Sequence, residues 1–438
     1  RLDPAALRQL DEAAALPGRA GAAVLMPDGH SGFGFPIGGV VAFDPAAGGV
    51  VCAGGVGYDI ACGVRCLATG LTRDDVLARQ EALAEALFRA VPAGVGRGGA
   101  LRLEDHELDA MLRGGAAWAV GQGLGRPEDL SCIEERGRMA GADPAAVSAE
   151  AKARMRDQLG TLGSGNHYLE LQWVAEALDP ARAAAYGIRE GDAVLSIHCG
   201  SRGLGHQVCA DYAARMLEAA PRFGLTLPNR DLACAPADSD LGRAYLAAMR
   251  CGVNCALANR QAVAHLACLA LAQVCPQAAP RLVYDVSHNT CKLERHAPDG
   301  RERALLVHRK GATRALGPGS PDLPAAYRLA GQPVLLGGSM GAASYILAGL
   351  GEAGSFASAP HGAGRALSRA QARKRFKGAG VVRGLGLRGV LVRSADLRGV
   401  AEEAPEAYKD IEAVVRAAAG AGLAAPVARL LPLVCVKG

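Results

Sequence analysis

"CKLERHAPDGRERALLVHRKG", residues 291–311, decides how this chain folds. An arm that alternates apolar and charged residues leads into Pro298–Asp299–Gly300, and the apolar run "ALLV" leads out of it. Two strand-like arms about so short a turn read as a hairpin, which makes the local pairing antiparallel. Outward from it lie further short strand-like pieces: "GGVVAF", "AVLSIHCGS", "RLVYDVSHN", "QPVLLGGS", "GVLVR" and "VARLLPLVCVKG". Helical patterns interrupt them without regular strand–helix alternation. "DPAALRQLDEAAAL" has Asp3 as N-cap and Pro4 in the first turn; "TRDDVLARQEALAEALFRAV" opens on Thr72 with Asp75 completing a capping box, and Pro92 ends it. "SRAQARKRF" opens on Ser368 and would align Arg369, Arg373 and Lys377 on one basic face. The expectation is an α+β fold, a single large domain over residues 1–438 with mixed and antiparallel sheets surrounded by helices.

Composition narrows the class. Half of the 438 residues are hydrophobic, enough for a large core, while aromatics are only 4% and glycines number 58, which favours tight turns over aromatic stacking platforms. The net charge of +5 is mild but unevenly spread: from His361 to Ala395 there are nine Lys/Arg and no acid, and from Lys292 to Arg314 seven Lys/Arg against three acids. Such stretches suit a polyanion, although either alone suits a solvated face as well. Thirteen cysteines without regular spacing point to reduced thiols and a cytoplasmic location. The longest apolar run, "ALANRQAVAHLACLALAQVC", contains Asn, Arg, Gln and His and reads as a buried helix, so no membrane span is expected. No signal peptide opens the chain, and Arg1 in place of Met makes a short preceding leader an expectation.

The chemistry gathers at strand and loop ends. "GGVGYDIACGVR" offers Asp59 and Cys62 in a glycine-rich turn, "GTLGSGNHYLE" offers Asn166 and His167, "LSIHCGSRGLGHQV" offers His198, and "YDVSHNTCK" offers His288. A lone residue of these types is more often structural; several, each after an apolar strand and among small residues, are hard to assign to packing. A thiolate, three imidazoles and a carboxylate suit a borderline divalent ion, zinc on softness alone. Five ligands exceed one tetrahedral site, leaving open a pair of ions that share the cysteine, as in two-metal phosphoryl chemistry. Cys251 and Cys255 lie in a helical stretch and read as core.

His361 stands apart, in "FASAPHGAGRALSR". A neutral imidazole can attack an α-phosphate and hold a nucleotidyl group, Gly362, Ala363 and Gly364 leave room for a nucleotide, and Arg365 could steady its charge. The rival motif is Gly337-x-Ser339-x-Gly341, a hydrolase elbow pattern. Its triad would need an acid and then a histidine on separate loops; Glu352 and His361 follow too soon, no histidine follows His361, and the five-ligand set would stay unexplained.

These motifs, with "MPDGHSGFGFPIGGV", "VHRKGATRALGPG", "GSMGAASY", "SAPHGAGR", "EAYKDI" and "VCVKG", resemble the RtcB family of RNA ligases nearly end to end. The resemblance implies an RtcB-like fold and an enzyme that joins RNA 3′-phosphate or 2′,3′-cyclic phosphate ends to 5′-hydroxyl ends with GTP and two Mn2+ ions. It places one ion on Asp59, Cys62 and His167 and the other on Cys62, His198 and His288, which replaces zinc by manganese. It makes His361 the guanylated residue and puts Glu170, Ser339, Ser344, Tyr408 and Lys437 around the nucleotide, with Asn166, Arg202 and the loop of His361 toward phosphates. Glu170 would accept from guanine N–H groups. The basic tracts near His361 and Arg314 would meet the RNA backbone. Ala61 stands where the family pattern has Asn. Implied partners are RNA ends and an archease-like activator, for a monomer acting in RNA repair or tRNA splicing. The competing readings are a dimetal phosphodiesterase or phosphatase without covalent guanylation, and a nucleic-acid-binding module whose clusters are structural.

Overall fold

The computed structural model describes residues 3–94, 96–99 and 101–438; Arg1 lies outside them. The hairpin is there. Asn289–His296 runs antiparallel to Arg303–Lys310, Asn289 opposite Lys310 and His296 opposite Arg303. Gly300 N–H donates to Ala297 O at 3.1 Å, and Gly300 takes a φ of 79°, the left-handed turn value open to glycine. Arg303–Lys310 pairs on its other edge with Ile37–Phe43, and that strand with Arg19–His30, giving a four-stranded antiparallel sheet.

The larger sheet runs Pro333–Leu336, Ser344–Gly349, Ala424–Lys437, Tyr168–Ala177, Asp192–Cys199, Gly63–Thr72, Arg281–Ser287. These neighbours are all antiparallel; only Leu391–Ser394 runs parallel, beside the end of Ala424–Lys437. The two sheets meet at one residue. Arg281–Ser287 is an edge of the larger sheet, Asn289–His296 an edge of the smaller, and His288 alone lies between them. Its N–H donates to Cys62 O at 2.8 Å and its carbonyl accepts from Ala312 N–H at 3.1 Å, so the joint is fixed from both sides.

The helix Asp240–Val274 has 35 residues, with the Ser239 side chain accepting from Gly242 N–H at its start. It is long and apolar enough to cross a membrane by composition, yet most of that stretch is buried inside the protein as a core helix. Cys251 and Cys255 lie in that core, and all thirteen cysteines are unpaired. The expected helices form with two changes. The Thr72–Asp75 capping box is present, but the helix breaks at Arg79, whose φ of −132° leaves the helical region, into Arg73–Leu77 and Gln80–Ala90. The helix capped by Ser368 ends at Arg375, so Lys377 is off its face and begins the next helix, Gly378–Gly386.

Candidate active site

The five expected ligands converge beneath the joint of the two sheets. Cys62 Sγ lies 3.2 Å from His198 Nε2 and 3.4 Å from His167 Nε2; His198 Nε2 is 3.3 Å from His288 Nε2. His167 Nε2 is 2.8 Å from Asp59 Oδ2. Cys62, His198 and His288 form one group and Asp59, Cys62 and His167 another, each with ligand atoms within 4.8 Å of one another, and Cys62 belongs to both. The donor set fits divalent ions. His167 Nδ1 lies 3.0 Å from Leu162 O; donation there leaves Nε2 with its lone pair facing the others, the arrangement usual for a metal-binding imidazole. Burial, then the neighbouring imidazoles, hold His198 and His288 well below the usual histidine range, so both are neutral donors. Burial and Asp59 push the Cys62 thiol well up, so an ion must displace its proton. Burial raises Asp59, but His167 and Arg202 prevail and its carboxyl lies at about 2.

Arg260, on the long core helix, holds these loops in place. Its Nη1 donates to Ala61 O at 2.7 Å and Cys199 O at 3.0 Å, and its Nη2 to Ser287 Oγ at 3.1 Å, each beside a ligand. Its Nε pairs with Asp285 at 2.8 Å, and Arg65 pairs with the other oxygen at 2.9 Å. Charges buried this deeply cost several kcal/mol each to desolvate unless paired, so the Arg260–Asp285 pair ties the three loops to one arrangement. Ala61 takes a φ of 53°, a left-handed conformation that Asn tolerates better than Ala, so this position carries a local cost.

Beside the ligands opens a cavity of about 430 Å³, lined by Asn166, Glu170, Ser339, His361 to Arg365, Tyr408 and Lys437 together with the metal-ligand candidates. The loop Gly337–Ser339 and the loop of His361 form its walls, tied by Ala363 N–H to Gly337 O at 3.1 Å. Gly364 takes a φ of 73°, and a Cβ there would lie 2.2 Å from Asp28 O, so no side chain fits. His361 is 12% exposed in its side chain, and its ring lies 4.6 Å from that of His288, which brings the two chemistries into one site. Its Nδ1 is 2.7 Å from Oδ2 of fully buried Asp28, and Lys409 Nζ donates to Asp28 O at 3.2 Å. The contact is an ion-pair distance without hydrogen-bond alignment, and it sets the Asp28 carboxylate beside Nδ1 and not Nε2. Sequence reading missed Asp28, although it stands in "MPDGH".

Ser339 Oγ is buried without a partner, which points to a ligand in the cavity and not to a hydrolase triad. Glu170 accepts from Gln172 Nε2 at 2.8 Å and from Cys435 Sγ at 3.2 Å; burial raises its carboxyl to about 7. Ser344 is not a lining residue: its Oγ accepts from Gly338 N–H at 3.0 Å and shapes the loop from behind. Arg202 is also outside the lining, its guanidinium directed at Thr161 and 3.3 Å from His167 Nδ1. Arg365 is engaged by Glu403 at 3.1 Å and lies over the Tyr408 ring at 5.1 Å, so its charge is already partly answered. Glu403 and Lys310, which sequence reading passed over, line the cavity too.

Five of the seven Lys/Arg in the tract Lys292–Arg314 are paired within the fold, which leaves Arg301 exposed and Lys310 in the cavity lining. Lys292 and Arg314 pair with Glu134 and Glu135, Arg309 with Glu294, Arg303 with Asp44 and Asp299, and Arg295 with Glu302. A charge count along the chain cannot reveal partners supplied by distant segments.

The family model described as "tRNA-splicing ligase RtcB" matches residues 9–438. The "tRNA-splicing ligase RtcB" of Thermococcus kodakarensis is 49% identical over 438 residues, covering 99% of this chain and 91% of that protein. The "RNA-splicing ligase RtcB" of Mycobacterium bovis is 49% identical over 432 residues, 98% of this chain and all of that protein, 100%. That of Archaeoglobus fulgidus, "tRNA-splicing ligase RtcB", is 48% identical over 443 residues, 100% of this chain and 92% of its own. A match of this extent, with the ligand groups and the His361 loop in one cavity, shows that the chain belongs to the tRNA-splicing ligase RtcB family.

Proposed function

We propose that this protein is an RNA ligase that joins a 3′-phosphate or 2′,3′-cyclic phosphate end to a 5′-hydroxyl end at the expense of GTP, through a guanylated His361. The observation that supports it most is the juxtaposition of His361, with Asp28 on its Nδ1, and His288 of the five-ligand cluster. Asp59, Cys62 and His167 would hold one divalent ion and Cys62, His198 and His288 a second, manganese by family resemblance. When bound, the ions supply neutralisation of phosphate charge and a line for attack and departure.

The chain's own residues do the rest. Water opens a cyclic phosphate to the 3′-phosphate. His361 Nε2 attacks the α-phosphorus of GTP; the N–P bond forms, the bond to the β-phosphate breaks, and pyrophosphate leaves. Asp28 stabilises the positive charge that develops on the ring, as a buried carboxylate does for an imidazolium in acyl transfer. GMP then passes to the RNA 3′-phosphate, freeing His361, and attack by the 5′-hydroxyl closes the phosphodiester and releases GMP. Asp28→Asn should leave the fold intact and slow protein guanylation roughly 10²- to 10⁴-fold by losing the correct tautomer. Single-turnover labelling with α-labelled GTP reads this, and a rate within threefold of the native one, less than about 0.7 kcal/mol in barrier height, would remove Asp28 from the mechanism.

Glu170 supports guanine as the base. With its carboxyl at about 7, the folded chain holds one proton more than the unfolded chain between the ordinary value of 4.5 and about 7. Stability contributed by this group therefore falls as pH rises through that window, by on the order of 3 kcal/mol in total. Glu170→Gln should flatten that fall in a denaturant series across pH. In the native chain, guanine N–H donors favour the carboxylate, so GTP should bind more tightly as pH rises through about 7, and the Gln variant should lose this trend. The joining reaction itself is tested with RNA bearing a cyclic phosphate and a 5′-hydroxyl. A sealed product that requires GTP supports the proposal; hydrolysis to a free 3′-phosphate with no sealing favours the dimetal phosphodiesterase.

A further inference from the structure

Of the nine Lys/Arg between His361 and Ala395, four are neutralised within the fold. Arg365 and Arg369 face Glu403, Arg373 and Arg369 face Glu402, and Arg393 faces Glu81 and Glu85. The other five, Lys374, Arg375, Lys377, Arg383 and Arg388, are exposed and pair with no carboxylate among the described residues. Three of them, Arg375, Lys377 and Arg388, line a separate groove of about 380 Å³ together with Phe376, Gly380, Gly384 and Glu406.

This groove has the parts that single-stranded nucleic acid needs. Cations stand along it, the Arg375 guanidinium lies over the Phe376 ring at 5.5 Å, and Gly380 and Gly384 leave bare backbone with nothing within 4 Å of a Cβ. One aromatic ring beside a basic channel of this kind holds bases and phosphates without regard to sequence. The groove also abuts the nucleotide cavity. A Cβ on Gly341, next to the cavity residue Met340, would lie 2.5 Å from Leu385 and from Arg388, and Glu406 is on the same turn as Tyr408. Of the neutralised cations, Arg365 and Arg369 line the cavity that holds His361; the five unpaired ones are exposed outside it.

We infer that this groove binds the phosphodiester backbone of single-stranded RNA some nucleotides away from the end being joined. The inference rests on the ligase reading for its substrate, but its test does not need catalysis. Binding is measured by fluorescence anisotropy with a labelled RNA of about ten nucleotides carrying unreactive 3′-hydroxyl ends, over a salt series, without GTP. Arg375→Gln with Lys377→Gln should weaken binding on the order of tenfold and reduce the log–log salt slope by about 1.4. Arg388 is left in place because it also lies against Gly341. Glu406→Lys, which adds a cation at the rim, should tighten binding and steepen the slope. Labelling of His361 by GTP should be unchanged in these variants, which shows that they are folded. Ligation of a dinucleotide donor should be spared while that of the longer RNA falls.

Unchanged affinity and slope in the double variant, with labelling intact, would overturn the inference. So would unchanged RNA binding together with loss of a bound protein, which would assign the groove to a protein partner. If the native chain binds RNA through the groove but takes no label from GTP, the groove stands and the ligase mechanism falls.

Discussion

His361→Ala protein given α-labelled GTP and manganese should show no label after denaturing electrophoresis, where the native chain is labelled in an acid-labile, base-stable form. The lability identifies a phosphorus–nitrogen bond, and its loss on removing one imidazole identifies the residue that carries it. Sealing of RNA ends should fall at least ~10⁴-fold, because removing a nucleophile leaves only binding and charge stabilisation behind. The Ala side chain is smaller than an imidazole that is nearly all buried, and His361 makes no contact on which a sheet depends, so folding should persist. The Asp28 carboxylate would lose its ring partner, yet it keeps His361 N–H as a backbone donor at 3.3 Å. Opening of a cyclic phosphate should survive in this variant, since it needs no nucleotide on the protein. A folded native chain loaded with manganese that takes no label would place the dimetal phosphodiesterase first.

The second large effect is expected at Cys62. Its Sγ is the one atom common to both ligand groups, so Cys62→Ser should lower bound manganese at both positions at once, whereas His288→Ala should touch only one. Metal analysis of dialysed protein reads this without any assay of activity. Both GTP labelling and ligation should fall at least ~10³-fold, because the charge of the triphosphate and of the RNA end is no longer answered. The serine keeps the shape of the site, but its hydroxyl does not ionise as the thiol does on binding an ion. A Ser variant that retains a full complement of metal would show that the two groups do not share this atom.

The antiparallel architecture was legible because the hairpin announces itself within 21 residues, and the ligand residues because each follows a short apolar strand. Strands buried on both faces were harder. Gly63–Thr72 is buried through most of its length and shows no sustained alternation, and Tyr168–Ala177 alternates Leu169, Leu171 and Trp173 with Glu170 and Gln172 although the polar residues are buried as well. Partners brought in by tertiary contact were not legible at all. Asp28 is 333 residues from His361, and Arg260 looked like one polar residue in an apolar helix until its four hydrogen-bond partners came together around it. The same blindness made Lys292–Arg314 look like an open basic tract, when Glu134 and Glu135 close it from a loop far along the chain.

The passage of the chain from one sheet to the other through His288 alone restricts where its length can change. Side chains along a strand alternate faces with a period of two, so one inserted residue at this joint would turn every following side chain of Asn289–His296 over. Glu294 would then leave Arg309, Lys292 would leave Glu134, and the imidazole of residue 288 would no longer meet Cys62 and His198. An insertion at Pro298–Gly300, at the far end of the same hairpin, disturbs none of these contacts. Members of the family that differ in length here should differ at that turn, and the joint should keep its single residue.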